Sequence, residues 1–181
     1  LIDENIVVDM TYGQFDPKWK NKILVTTKDR LKGLNLVSTS GETAATISKY
    51  LEKYYLQENL LNRSTQISEA HIQKIHEFMA MEIQDPANNI DYSRGDYRRQ
   101  MVYVDDTPFV APEEVGPKMK DFIKWLIEEE GQKGDARKLA AKAYIKFIRI
   151  HPFTNGNGRV GRQLINLILR RHNNRAIEDL S

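Results

Sequence analysis

Residues 136–172 read ARKLAAKAYIKFIRIHPFTNGNGRVGRQLINLILRRH, and this stretch decides the fold. Its first part, Ala136 to Ile150, is apolar at Leu139, Ala140, Ala143, Tyr144, Phe147 and Ile148, the spacing of one helical face. Its last part, from about Arg159 to His172, is apolar at Leu164, Ile165, Leu167 and Ile168. Two buried helices are therefore expected, joined by HPFTNGNG, a turn dense in Gly, Asn and Pro. The helix on the near side of that turn disposes of one familiar pattern. Gly156, Gly158 and Gly161 satisfy G-x-G-x-x-G, but the dinucleotide-binding version follows a strand in a βαβ unit, and no strand–helix alternation surrounds this one. A Walker-type loop is also absent, because no Gly-Lys-Ser or Gly-Lys-Thr occurs in the chain.

Moving towards the N-terminus, PEEVGPKMKDFIKWLIEEE opens on Pro112 and two glutamates, a helix start, with Pro117 expected to disturb its first turns. Before it, QMVYV and FVAP flank DDTP, so a small β-hairpin is expected over residues 100–110. DPANNIDYSRGDYRRQ, leading into the hairpin, has the composition of a loop. Ser68 opens a helix with Ile72, Ile75, Phe78, Met79 and Ile83 on one face, and Thr43 to about Asn59 forms another with Ile47, Tyr50, Leu51, Tyr54 and Tyr55. In residues 1–37, NIVV and KILVTT read equally as strands or as extended packing segments. The fold class is mostly α with one small hairpin.

Composition narrows the function. The chain has 181 residues, 40% of them hydrophobic and 29% charged, enough for one domain with an ordinary core or a domain with a small appendage. A net charge of +2 is too small to indicate nucleic acid as a partner, so any anion site must come from local placement. The absence of cysteine excludes disulfides and thiolate metal sites. No apolar run approaches a membrane span and the first residues lack a signal-peptide pattern, which makes the cytoplasm the default setting. His71 and His76 are five apart and His172 stands alone, so these three read as surface or packing residues rather than metal ligands.

The chemistry concentrates in the turn. Glycines 156 and 158 let backbone N–H groups converge, and the following helix adds its unpaired N–H groups and positive dipole end, which makes an anion site. Arg159 and Arg162 lie three apart at the helix start and can offer forked donors to phosphate oxygens. His151, at the entrance to the turn, has the ordinary pKa of a base for neutral pH.

HPFTNGNGR followed by Arg162 resembles the signature of the Fic family of nucleotide-dependent protein modifiers, His-x-Phe-x-(Asp or Glu)-Gly-Asn-Gly-Arg-x-x-Arg. GDYRRQMVYV…FVAPEEV resembles the family's hairpin or flap, and ISEAHIQKIHEFM its first core helix, so the likeness covers residues 67–172. It implies a helical bundle with a flap beside the active site and transfer of AMP from ATP to a hydroxyl of a target protein. His151 would be the general base, counted with Arg159 as catalytic. Gly156, Asn157 and Gly158 would line the anion hole, Arg159 and Arg162 would hold the outer phosphates, and Phe153 would anchor the loop. The target chain would dock along the 100–110 hairpin, with neither nucleic acid nor membrane as partner; a homodimer is compatible with the family. Asn155 stands where the family carries an Asp or Glu ligand for Mg²⁺, and a neutral amide lacks that charge. This departure keeps two other outcomes open: another phosphoryl-group or AMP-removing activity, and a nucleotide-binding module with weak catalysis.

STSGET offers Ser38 and Glu42 at the spacing of the family's inhibitory Ser/Thr-x-x-x-Glu segment, with Thr43 in place of Gly or Asn. The resemblance implies that Glu42 pairs with Arg162; the alternative is a plain helix start in which Ser40 caps and Glu42 favours the dipole. The expected organisation is a segment 1–37 without assigned chemistry, a region 38–66 carrying the inhibitory helix, and a core 67–181 that stops sooner after the signature than its relatives.

Overall fold

The computed structural model describes residues 6–9, 24–27, 41–80, 95–104, 107–132 and 134–174. The chain forms two compact units, Leu1–Ser38 and Thr39–Ser181. In the first, β1 (Ile6–Asp9) pairs antiparallel with β2 (Leu24–Thr27), Ile6 opposite Thr27 and Asp9 opposite Leu24. IVVD and LVTT are rich in β-branched residues, which suit a pleated chain, so strand is the option these runs take.

The second unit is helical. It contains α1 (Gly41–Gln57), α2 (Glu69–Ala80), α3 (Pro112–Gly131), α4 (Ala136–Ile150) and α5 (Asn157–Arg171). Between α2 and α3, the two-residue strands β3 (Tyr103–Val104) and β4 (Thr107–Pro108) pair antiparallel, Tyr103 opposite Pro108. Among the described residues no helix is long and apolar enough to cross a membrane.

Local chemistry sets the helix ends. After α1, Asn59 turns left-handed at φ 52° and the Leu60 N–H returns to the Tyr55 carbonyl at 2.8 Å, a standard helix stop. α2 starts with a reciprocal cap: the Ser68 hydroxyl accepts from the His71 N–H at 3.4 Å, and His71 Nδ1 accepts from the Ser68 N–H at 3.1 Å. His71 is thus a capping residue, and burial, which holds its pKa below the usual value, favours the neutral ring this bond requires. Asp135 caps α4 by accepting from the Arg137 N–H at 2.9 Å.

The core lies among the helices of this second unit. Phe147, Leu164, Leu167, Ile168, Val115, Met119, Leu126, Ile72 and Ile75 are fully buried, each worth about 1.5–3 kcal/mol of transfer free energy. α4 and α5 approach closely because Gly161 lacks a side chain: a Cβ there would lie 2.8 Å from the Tyr144 ring. The third glycine of the rejected dinucleotide pattern therefore serves helix packing. A buried ion pair closes the far end of the bundle. Arg171 binds the Glu130 carboxylate through Nε at 2.7 Å and Nη2 at 2.9 Å, and its remaining donors hold the carbonyls of Leu60, Asn62 and Thr65.

Side-chain contacts fix the helix directions. Tyr54 meets both His71 and Phe78, while Tyr50, one turn earlier, stacks on Phe78, so α1 and α2 run antiparallel. His76, late in α2, reaches Asn155 just ahead of α5, and Arg171, at the end of α5, reaches Thr65 just ahead of α2. These two helices are antiparallel as well, so α1 and α5 point the same way.

Four expectations change in detail. Tyr50 is 45% exposed rather than part of the core, because it covers the edge of Phe78 from outside. Ile165 is only half-buried, and Val160 and Leu169 complete the buried face of α5 instead. α3 passes unbroken through Pro117. α5 opens at Asn157, ahead of Arg159, since Gly156 takes φ 82° and turns the chain at once. Ile83 lies outside the described residues.

Candidate active site

His151 ends α4 in a left-handed conformation, φ 52° and ψ 59°, unusual for a residue with a side chain. Its N–H still closes the helix on the Phe147 carbonyl at 3.0 Å. The imidazole is stacked against the Phe109 ring, centroids 4.1 Å apart and planes 18° from parallel. Nδ1 lies 3.3 Å from the Ile148 carbonyl, which assigns the proton to Nδ1 and leaves Nε2 as the basic nitrogen. Burial drives the imidazole pKa down to about 4; the Ile148 bond opposes that shift and the charge of Arg98 adds to it. The ring is neutral at physiological pH.

The turn after His151 is built from inside. Phe153 is fully buried, stacked on His76 at 3.9 Å and in contact with Phe147 and Tyr97, a position that suits the anchoring role implied by the resemblance. The Asn157 side chain closes the loop by accepting from the Phe153 N–H at 2.9 Å and donating to its carbonyl at 2.8 Å. Asn157 is 2% exposed, so only its backbone can face an anion. His76, also buried, puts Nε2 3.0 Å from the Asn155 carbonyl, and its Nδ1 makes no hydrogen bond among the described residues.

The signature glycines and arginines gather where α5 begins. Gly156 is the N-cap and carries no side chain to cap this end, where the N-terminal N–H groups and the positive dipole end of α5 come together. Arg159 and Arg162 are half-buried in the first two turns. The buried Nε of Arg162 makes no hydrogen bond among the described residues, an orphaned donor near the start of α5. Thus His151, Gly156, Asn157, Gly158, Arg159 and Arg162 are brought together by one helix–turn–helix.

Asn155 is exposed, and its Oδ1 already accepts from the Gly156 N–H at 2.6 Å. Among the described residues no three His, Asp or Glu side chains come together as a metal site. The donor set offers a hard cation one neutral oxygen, too few ligands to cage an ion by protein alone. Glu42 lies in the first turn of α1, and Ser38 falls outside the described residues.

Three residues around the site were not legible beforehand as parts of it: Arg98, Phe109 and His76. Arg98 is buried and holds the His151 carbonyl at 2.7 Å, yet in GDYRRQ nothing distinguishes it from the exposed Arg99. Phe109 sits in a β-prone run that marks only a hairpin. Of the two readings of His76, surface or packing, its burial and stacking on Phe153 give packing, and its bond to the turn has no signal in the spacing.

A histidine at the end of one helix and an arginine-flanked helix start immediately after it define a helical domain with a candidate anion site. Residues 66–169 match the Fic/DOC family model, and the chain belongs to that family. It is 37% identical over 111 residues to the protein adenylyltransferase fic-1 of Caenorhabditis briggsae, covering 61% of this chain and 22% of that protein. With the protein adenylyltransferase Fic of Nematostella vectensis it shares 33% identity over 117 residues, 65% of this chain and 26% of the relative. The chain thus spans about a quarter of the length of these relatives. Among solved structures, residues 134–508 of Caenorhabditis elegans Fic-1 align with TM-score 0.53 and 35% identity, over 66% of this chain and 33% of that one. A Fic domain containing signaling protein from Bacteroides thetaiotaomicron aligns with TM-score 0.53 and 26% identity, over 68% and 47%.

Proposed function

We propose that this chain is a protein adenylyltransferase that moves AMP from ATP to a hydroxyl side chain of a target protein. The observation that carries the reading is a neutral imidazole, with Nε2 as its base, at one end of a turn whose other end is an uncapped helix start with an orphaned Arg162 donor. Named relatives over the same residues are protein adenylyltransferases.

In this scheme His151 Nε2 takes the proton of the target hydroxyl as its oxygen attacks the α-phosphorus of ATP. The bond to the β-phosphate oxygen breaks, pyrophosphate leaves, and an AMP–protein ester remains. Arg159, Arg162 and the first-turn N–H groups of α5 hold the outer phosphates against the developing charge. Mg²⁺ would neutralise phosphate charge, with Asn155 as its protein contact. Met101 and Tyr103, 37% and 59% exposed, give the hairpin an apolar edge on which a target segment can add as a strand. The cytoplasm, with its supply of ATP, is the setting that goes with this reading. Residues 38–66 serve as a regulatory region in which Glu42 restrains Arg162, next to the catalytic core from residue 67 onward.

Incubating the chain with a target lysate and ATP labelled at the α-phosphate tests the proposal. Label on protein is expected, reduced by about 10²- to 10⁴-fold in His151→Ala, the usual worth of a positioned base. Protein labelled only from γ-labelled ATP would replace this reading with a kinase-type transfer, and ATP binding without any transfer would reduce it to a nucleotide-binding module.

A further inference from the structure

One buried side chain joins the hairpin to the base. Arg98 is 3% exposed, and its guanidinium donates to the carbonyls of Gln100 at 2.9 Å, Val110 at 2.6 Å, Ile150 at 3.4 Å and His151 at 2.7 Å. Its own N–H donates to the Pro152 carbonyl at 2.9 Å. Gln100 and Val110 stand on either side of the β3–β4 pair, whereas Ile150 and His151 close α4. Among the described residues no carboxylate pairs with this guanidinium. Its charge is met there by four carbonyl dipoles, and a group so committed is not a phosphate ligand.

A second contact comes from the same hairpin. Phe109 follows β4, its N–H donates to the Val102 carbonyl at 3.0 Å, and its ring covers one face of the His151 imidazole. The left-handed backbone at His151 turns that residue's carbonyl out of the helical bonding pattern, and Arg98 Nε takes it up. The peptide after the base is thereby fixed by Arg98, and the ring itself by Phe109.

We propose that Arg98 and Phe109 are positioning residues that make the hairpin and the base one unit, so that a target strand added to the hairpin meets an imidazole already aimed at the reacting phosphate. The inference rests on the transferase reading above for its consequence, but its physical content is the coupling. Arg98→Lys keeps a cation and loses the planar fork; Phe109→Leu removes the stacked ring and leaves every carbonyl of the cluster bonded. In both variants ATP affinity should stay within about twofold of wild type while kcat falls about 10- to 100-fold, the effect of misplacing a reacting group. The ring proton of His151, assigned by its loss in His151→Ala, should be displaced upfield by the Phe109 ring in the wild type and move towards the free-histidine position in both variants. Unchanged kcat in Phe109→Leu, or a His151 resonance that does not move, overturns the proposal. If Arg98→Lys fails to fold, Phe109→Leu decides alone. Should the wild type transfer nothing, the transferase reading fails and the resonance still decides the coupling.

Discussion

His151 combines a backbone that disfavours it with a ring environment that disfavours its charge. A non-glycine residue at φ 52° costs on the order of 1 kcal/mol, which the surrounding contacts must hold in place. Burial keeps the imidazole neutral, with a pKa near 4. The sign of the consequence is direct: a base is active when deprotonated, so lowering its pKa extends activity to lower pH. The acid limb of kcat/KM for transfer, which reports the free enzyme, should therefore fall near pH 4 to 5 rather than near 6.5. A limb centred on 6.5 would show an ordinary solvated histidine and contradict the packing against Phe109. At this scale the sequence was informative where chemistry is local. His151, Gly156, Arg159 and Arg162 are adjacent in the chain, and their types announce a base beside an anion site. Arg98 was not legible because four of its partners are backbone carbonyls, which every residue carries, and they come together only through the fold.

Between elements, Gly161 in α5 packs closely against Tyr144 in α4. A Cβ at 161 would sit 2.8 Å from two ring carbons, and Tyr144, 4% exposed, has little room to withdraw. Gly161→Ala therefore overpacks the helix pair despite the better helix propensity of alanine. Destabilisation of about 1–3 kcal/mol is expected, read as a lower thermal midpoint, whereas a neutral or raised midpoint would mean that the ring gives way easily. The helical period located α4, α5 and α2 because each buries a stripe of aliphatic residues. It misjudged Tyr50, since aromatic residues at helical spacing satisfy the same pattern whether they enter the core or lie across its edge. The turn chemistry and β-prone runs indicated the hairpin region, but no pattern of period two or 3.6 reports which buried polar group will brace it.

Across the whole helical unit, the directions of its helices bear on control. Glu52 of α1 and Arg170 of α5 form an ion pair, Nη2 to Oε2 at 2.9 Å, which aligns the two helices at one level. Both helices run the same way from their N-termini towards this pair. Glu42 precedes Glu52 by ten residues and Arg162 precedes Arg170 by eight, about 15 Å and about 12 Å of helix, respectively. Two residues of opposite charge thus belong at nearly the same height in the bundle, and Arg162 carries a buried donor without a partner among the described residues. In the proposed reading Glu42 restrains the arginine that should hold ATP; in the alternative it is a helix-start residue. Glu42→Gly is expected to raise protein labelling from α-labelled ATP well above wild type, because the donors of Arg162 become available to phosphate. Adding Arg162→Ala should cancel that gain, since the group released is then missing. If Glu42→Gly lowers the thermal midpoint while transfer stays flat, Glu42 only supports the first turn of α1, and the helix register carries no control.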